Sequence, residues 1–157
     1  MAGFIALSGA LAGLGYLAGQ STALDAEWTA KAQSGDAQPR SSYLMLLGST
    51  VTDAQTTMAT LASLEVSGTG YARQPIPWGA PAQASRSVSN SVLIQFGPFA
   101  DPTGLNTSVQ AAAMVTRMTS ANGLCLMVWN LATPLATQQN QALQIAVGAL
   151  SMSLSTS

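Results

Sequence analysis

The clearest period in the chain lies near its C-terminal end, where Leu150, Met152 and Leu154 alternate with Ser151, Ser153 and Ser155. Alternation sends the two sets of side chains to opposite faces of a pleated strand, so this segment reads as a strand with one buried face and one polar face. In SVLIQFG the same period puts Val92, Ile94 and Phe96 on one face and Leu93 and Gln95 on the other. YLMLLG, beginning at Tyr43, is a short continuous apolar run of strand length. The stretch VQAAAMVTRMTSANGLCLMVWNL reads as a hairpin turning at Ala121-Asn122-Gly123, because Asn-Gly supplies the positive φ that tight hairpins require. Its three successive alanines also favour a helix over Val109 to Met118, and both readings stand. A Thr-rich connection, TVTDAQTTMATLASLEV, has room for a helical turn over Met58 to Leu64. Several short strands separated by turn residues predict a mainly β chain, an antiparallel β-sandwich or jelly roll.

The pattern before Tyr43 is different. AGFIALSGALAGLGYLAGQ is apolar and uncharged, close to the minimum length of a membrane span, and GALAG and GYLAG match the small-residue motif of packed helices. Neither a basic residue before the run nor a basic cluster after it marks a signal or sets a topology. Its five glycines weaken a free helix by about 1 kcal/mol each. The expected element is therefore an apolar helical or extended arm over residues 1–19 that is ordered by packing on protein, with a membrane-anchored surface protein spanning at residues 2–19 as the opposing reading. Phe4, Ile5, Leu7, Leu11, Leu14 and Leu17 are its candidate contact residues. Next comes a helix candidate capped by Ser21 or Thr22, with Asp25 and Glu27 in its first turns, Lys31 four residues after Glu27 as an ion-pair partner, and Gly35 as its stop. Residues 1–42 thus form an arm and linker and residues 43–157 the β domain, so that the arm is expected to be separable from a sandwich that folds without it.

Composition narrows the function. Only 7% of the residues are charged, whereas 48% are hydrophobic, and a chain with so little interspersed charge hides surface in contacts. It is expected to assemble as a symmetric oligomer, a trimer, held by apolar and Ser/Thr contacts. A net charge of −1 offers no footprint for a nucleic-acid backbone. The absence of histidine removes the usual general base, the commonest zinc ligand and every Ser-His triad. Cys125, in the apolar run LCLMVW, reads as a small buried hydrophobe. Asp25, Glu27, Asp36, Asp53, Glu65 and Asp101 are scattered without the spacing of a metal loop. No catalytic constellation, cofactor site or metal site is expected. Trp28, Trp78 and Trp129 offer stacking faces for a carbohydrate, although Trp129 alternates with Cys125 and Met127 and reads as core or interface.

One stretch, EVSGTGYARQ followed by PIPWGAP, invites three readings: a phosphate-cradling loop, an RNA-binding patch, or a shaped sheet corner. A phosphate loop runs into a helix, whereas here Pro75 and Pro77 forbid one. As a corner the stretch is coherent. Gly68 and Gly70 form a turn, Tyr71 to Gln74 start a strand, the prolines mark it as an edge, and the Arg73 fork binds backbone carbonyls or a carboxylate such as Glu65.

Taken in order, YLMLL, TDAQT, EVSGTGYARQPIPWGAP, SVSNSVLIQFG and VGALSMSL resemble a family of small virion proteins of tailed bacteriophages, variously described as tail fibre, head fibre or capsid decoration proteins. The resemblance covers about residues 43–157, with residues 20–42 as an insertion, and Glu-Val-Ser-Gly-x-Gly-Tyr-Ala-Arg-Gln is its most specific piece. It implies a compact β-rich domain without enzymatic activity, displayed or packed on the particle. The function expected is a capsid decoration or minor capsid protein, whose arm docks on the major capsid protein or other virion proteins; a tail, baseplate or fibre structural protein is the alternative.

Overall fold

The computed structural model describes residues 2–38, 40–82 and 86–153. It is mainly β, with antiparallel sheets and three short α-helices. In chain order come β1 (Ala2–Ile5), α1 (Leu7–Ala18), α2 (Ala23–Gln33), β2 (Tyr43–Leu47), a 3-10 turn (Asp53–Gln55) and α3 (Met58–Leu64). β3 (Gln74–Pro75), β4 (Ser87–Ser89), β5 (Ile94–Phe96), β6 (Val109–Val115), β7 (Cys125–Leu135), β8 (Leu143–Ile145) and β9 (Ser151–Ser153) follow.

Five strands form one antiparallel sheet in the order β1-β7-β6-β2-β3, and β4 with β9 and β5 with β8 form two ribbons. Both faces of the large sheet are covered. Leu44 and Leu46 of β2, Ala112 and Met114 of β6 and Trp129 of β7 pack with Ile94, Phe96 and Leu150 of the ribbon segments. On the opposite face Met45, Leu47, Ala111, Ala113, Val115 and Val128 pack with Ala6, Val51 and the α3 residues Met58 and Leu61. This sandwich-like arrangement explains why YLMLL is apolar throughout rather than alternating: each successive side chain meets a different layer. It also decides the alanine-rich stretch. Val109–Val115 is a strand, because its small side chains let both layers approach a central position where helix propensity counts for little.

Local signals act where the chemistry is local. Thr22 caps α2, its Oγ1 accepting from the Asp25 amide while Asp25 Oδ2 accepts from the Thr22 amide, 3.3 and 2.8 Å. Thr57 caps α3 in the same manner, accepting from the Thr60 amide.

Several expectations are corrected. The first residues do not stand apart from the β domain: β1 pairs with β7 from Ala2↔Asn130 to Ile5↔Met127 and forms an edge of the large sheet, so that Ala6 is fully buried. The boundary placed at residue 42 is therefore crossed by backbone hydrogen bonds, and removing residues 1–19 strips an edge strand instead of releasing a free arm. The strand predicted over Tyr71 to Gln74 is only Gln74–Pro75, at the opposite edge. Val92 does not share the buried face of Ile94 and Phe96, because β5 begins after it and leaves it exposed. The hairpin β6–β7 is present, but its connection spans residues 116–124 rather than a tight Asn-Gly turn, because the carbonyls of Thr116, Arg117 and Ser120 are engaged by distant cations. Leu150 is buried and Met152 half-buried, opposite exposed Ser151 and Ser153; Leu154 and Ser155 lie outside the described residues. Among the described residues no helix is long and apolar enough to cross a membrane, and α1 has 12 residues.

Candidate functional site

The opening arm residues are divided by the structure. Phe4, on β1, is half-buried against Met45 and its neighbours, whereas Ile5 and all four leucines of α1 are exposed. The inner face of α1 is made of small residues that allow close approach to β7. Ala12 is buried, Ser8 Oγ donates to the Cys125 carbonyl, and a Cβ at Gly9 would stand 2.2 Å from the Leu126 carbonyl oxygen. With the helix held in this way, Leu7, Leu11, Leu14 and Leu17 point to the outside as one apolar stripe. A side chain at Gly9 would push α1 off β7.

Away from α1 lies a chain of ion pairs. Arg73, buried, donates through Nε and Nη2 to Glu65 Oε1 and Oε2 at 2.9 and 2.7 Å, and through Nη1 to the Arg117 and Ser120 carbonyls at 2.9 Å each. Tyr71 donates its hydroxyl to Glu65 Oε1 at 2.8 Å, accepts from the Leu46 amide at 3.1 Å, and stacks on Phe96 with ring centroids 6.0 Å apart. Burial, and then the Glu65 charge, push the Tyr71 phenol well above its ordinary range, so it remains a donor. The turn ahead of it is fixed from below. The Thr69 amide and hydroxyl both donate to Asp101, and Gly70 has φ +95° with a would-be Cβ 2.4 Å from the Pro98 carbonyl oxygen. Glu65, Gly68, Gly70, Tyr71 and Arg73 are thus brought together as a corner that ties β2, the 98–104 loop and the β6–β7 connection.

From that connection the chain of charges continues to α2. Arg117 donates to Glu27 Oε1 and Oε2 at 2.5 and 3.1 Å, and Thr116 Oγ1 donates to Glu27 Oε1 at 2.9 Å. Lys31 is not the exposed partner of Glu27 that the helical spacing predicted. Its ammonium is buried, donating to the Ser41 and Thr116 carbonyls at 3.0 Å each, lying 3.4 Å from Asp36, and sitting 5.1 and 5.2 Å from the ring centroids of Trp28 and Tyr43. The correction has a simple cause: α2 turns Lys31 toward the sheet, while Glu27 meets an arginine 90 residues away. No sequence signal marks Arg117 or Thr116, whose roles arise only from the docking of α2.

The Arg117 hydrogen bonds hold the Glu27 carboxyl below the usual glutamate range. A carboxyl depressed in the folded state contributes stability that is fully present above its unfolded pKa, about 4.5, and is lost as pH falls through the folded value. Glu27→Gln is therefore expected to be less stable than the wild type near neutral pH, with the gap closing below about pH 4.5. Thermal melts of the two proteins across pH 3–7 check this, and a gap independent of pH would refute it.

Cys125 is buried and its thiol is pushed up to about 12 by that burial, in keeping with a packing role. Trp129 is core, Trp78 Nε1 donates to Ser42 Oγ at 3.1 Å, and Trp28 faces the Lys31 ammonium.

The family described as podophage GP4 fiber I protein gp80 matches residues 21–153. The chain belongs to this family. Membership makes it a structural protein of the phage virion, and it favours the fibre alternative over the capsid decoration protein expected from sequence. The family match begins at residue 21, ahead of the stretch from residue 43 that carried the resemblance, so its range takes in α2 with Glu27 and Lys31. The leucine stripe of α1 lies ahead of the matched region. No curated protein matches the chain.

Proposed function

We propose that the protein is a non-enzymatic structural subunit of a podophage fibre, working as a homo-oligomer, expected to be a trimer, and contacting other virion proteins. The observation that carries this is the fibre-family match over residues 21–153. The chemistry agrees with it. Histidine is absent from the sequence, Glu27 and Glu65 are committed to arginine pairs, and the buried Lys31 and Arg73 tie elements of the fold together. Three of the five Lys and Arg side chains, Lys31, Arg73 and Arg117, serve this internal network. Outside it, exposed large apolar side chains such as Leu7, Leu11, Leu14, Leu17 and Val147 are available for contacts.

Gold-labelled antibody against this chain, applied to intact virions, tests the reading. Label concentrated on fibres is the expected result. Label spread evenly over the capsid shell would restore the decoration role, and particles that lack the chain would end both.

A further inference from the structure

We infer that the leucine stripe of α1 is a self-association seam, at which α1 helices from neighbouring copies of this chain pack in register. The inference rests on reading the chain as an assembly subunit, though its test needs no virion. Leu7, Leu11, Leu14 and Ala18 follow spacings of four, three and four residues, the a/d repeat of helices that pair along an apolar stripe, and Leu17 flanks them. The seam is held outward rigidly, because the inner face of α1 is fixed by Ser8, Gly9 and Ala12 against β7.

Its area matches a second copy. The four leucines are 63, 56, 64 and 83% exposed, and covering them fully in two copies would remove at most on the order of 1,000 Å², the lower limit for a weak specific interface. Self-pairing needs no charge on the partner, and α1 has none to offer, so a charged partner gains nothing here. A lipid surface fits less well. Helices that lie in a membrane interface carry a solvated, cationic polar face opposite the apolar one, whereas α1 carries no charge, and Ser8, Gly9 and Ala12 on its other side pack on β7.

The test uses the full chain in solution, with light scattering and sedimentation. The wild type should be oligomeric. Leu11→Glu or Leu14→Glu, placing buried charges at the seam, should weaken association by about 100-fold with the far-UV spectrum unchanged, while Val147→Glu, at an exposed site elsewhere, should not. Leu14→Cys should cross-link between copies under mild oxidation, whereas Gly13→Cys, off the seam, should not; the native Cys125 is buried and adds no background. A monomeric wild type would overturn the inference. So would an oligomer that survives both glutamate variants without a seam cross-link. Flotation of the wild type, but not of Leu11→Glu, with zwitterionic vesicles would assign the stripe to a membrane instead. Seam variants that keep their oligomer but drop off virions would assign it to another virion protein. A chain found on the capsid could still pair through this seam, so failure of the fibre reading and failure of the seam are told apart.

Discussion

Arg73→Ala is expected to lower folding stability by about 3–5 kcal/mol, the loss seen when one partner of a buried pair is removed. The residue is 4% exposed and its fork makes four hydrogen bonds. Alanine would leave the Glu65 carboxylate and two carbonyls without their donor, inside a corner that also carries Tyr71. For a chain of this size the change corresponds to a fall in Tm of roughly 10 °C or more. Arg73→Lys keeps the charge but cannot reach both oxygens and both carbonyls, so an intermediate loss is expected. Tyr71→Phe, which removes one donor to Glu65 and the acceptor for the Leu46 amide, should cost about 1–2 kcal/mol. Urea unfolding of the three variants, with a double-mutant cycle against Glu65→Ala, measures the coupling directly. A loss below about 1 kcal/mol for Arg73→Ala would show that the corner does not depend on its arginine.

The second large effect is expected at Lys31. An exposed Glu-Lys pair four residues apart on a helix is worth about 0.2–0.5 kcal/mol. The buried ammonium observed here joins α2 to Ser41 and to the Thr116 carbonyl at the start of the β6–β7 connection, so Lys31→Ala should cost about 3 kcal/mol or more. Lys31→Met, which keeps most of the packing against Trp28 and Tyr43 but loses the donors, separates the two contributions. If the donors dominate, methionine should fare little better than alanine. Asp36→Ala provides the control, because that carboxylate is more exposed and its pair with Lys31 should be worth less than about 1 kcal/mol. Denaturant midpoints for these variants decide the matter, and a loss under about 0.5 kcal/mol at Lys31 would return it to the helix surface.

Lys31 marks the division between what was legible in the sequence and what was not. Elements whose signals lie within a few residues could be read directly. The Thr22 cap with Asp25, the helix Met58–Leu64, the apolar strand at Tyr43 and the alternation after Leu150 each depend on neighbours close in the chain, where propensity, capping and period act. The Arg73 corner was legible in part for the same reason, since Glu65 is only eight residues away. Its other partners, the carbonyls of Arg117 and Ser120, lie 44 and 47 residues distant and have no sequence mark.

The partners of Glu27 and Lys31 were decided by tertiary structure, because a helix allows several charge pairings and only its docking chooses among them. The apolar opening stretch carried its composition openly, but not its division of labour. Pairing of Ala2–Ile5 with β7 made its first residues part of the sheet, and the close approach permitted by Gly9 turned one face of α1 inward. What sequence by itself determined, then, is a sparsely charged β chain with locally specified helices and strands. Tertiary packing decided which cations are buried, which edge the first strand completes and which leucines remain outside, since each depends on contacts between residues far apart in the chain, where loop closure and burial outweigh local preference.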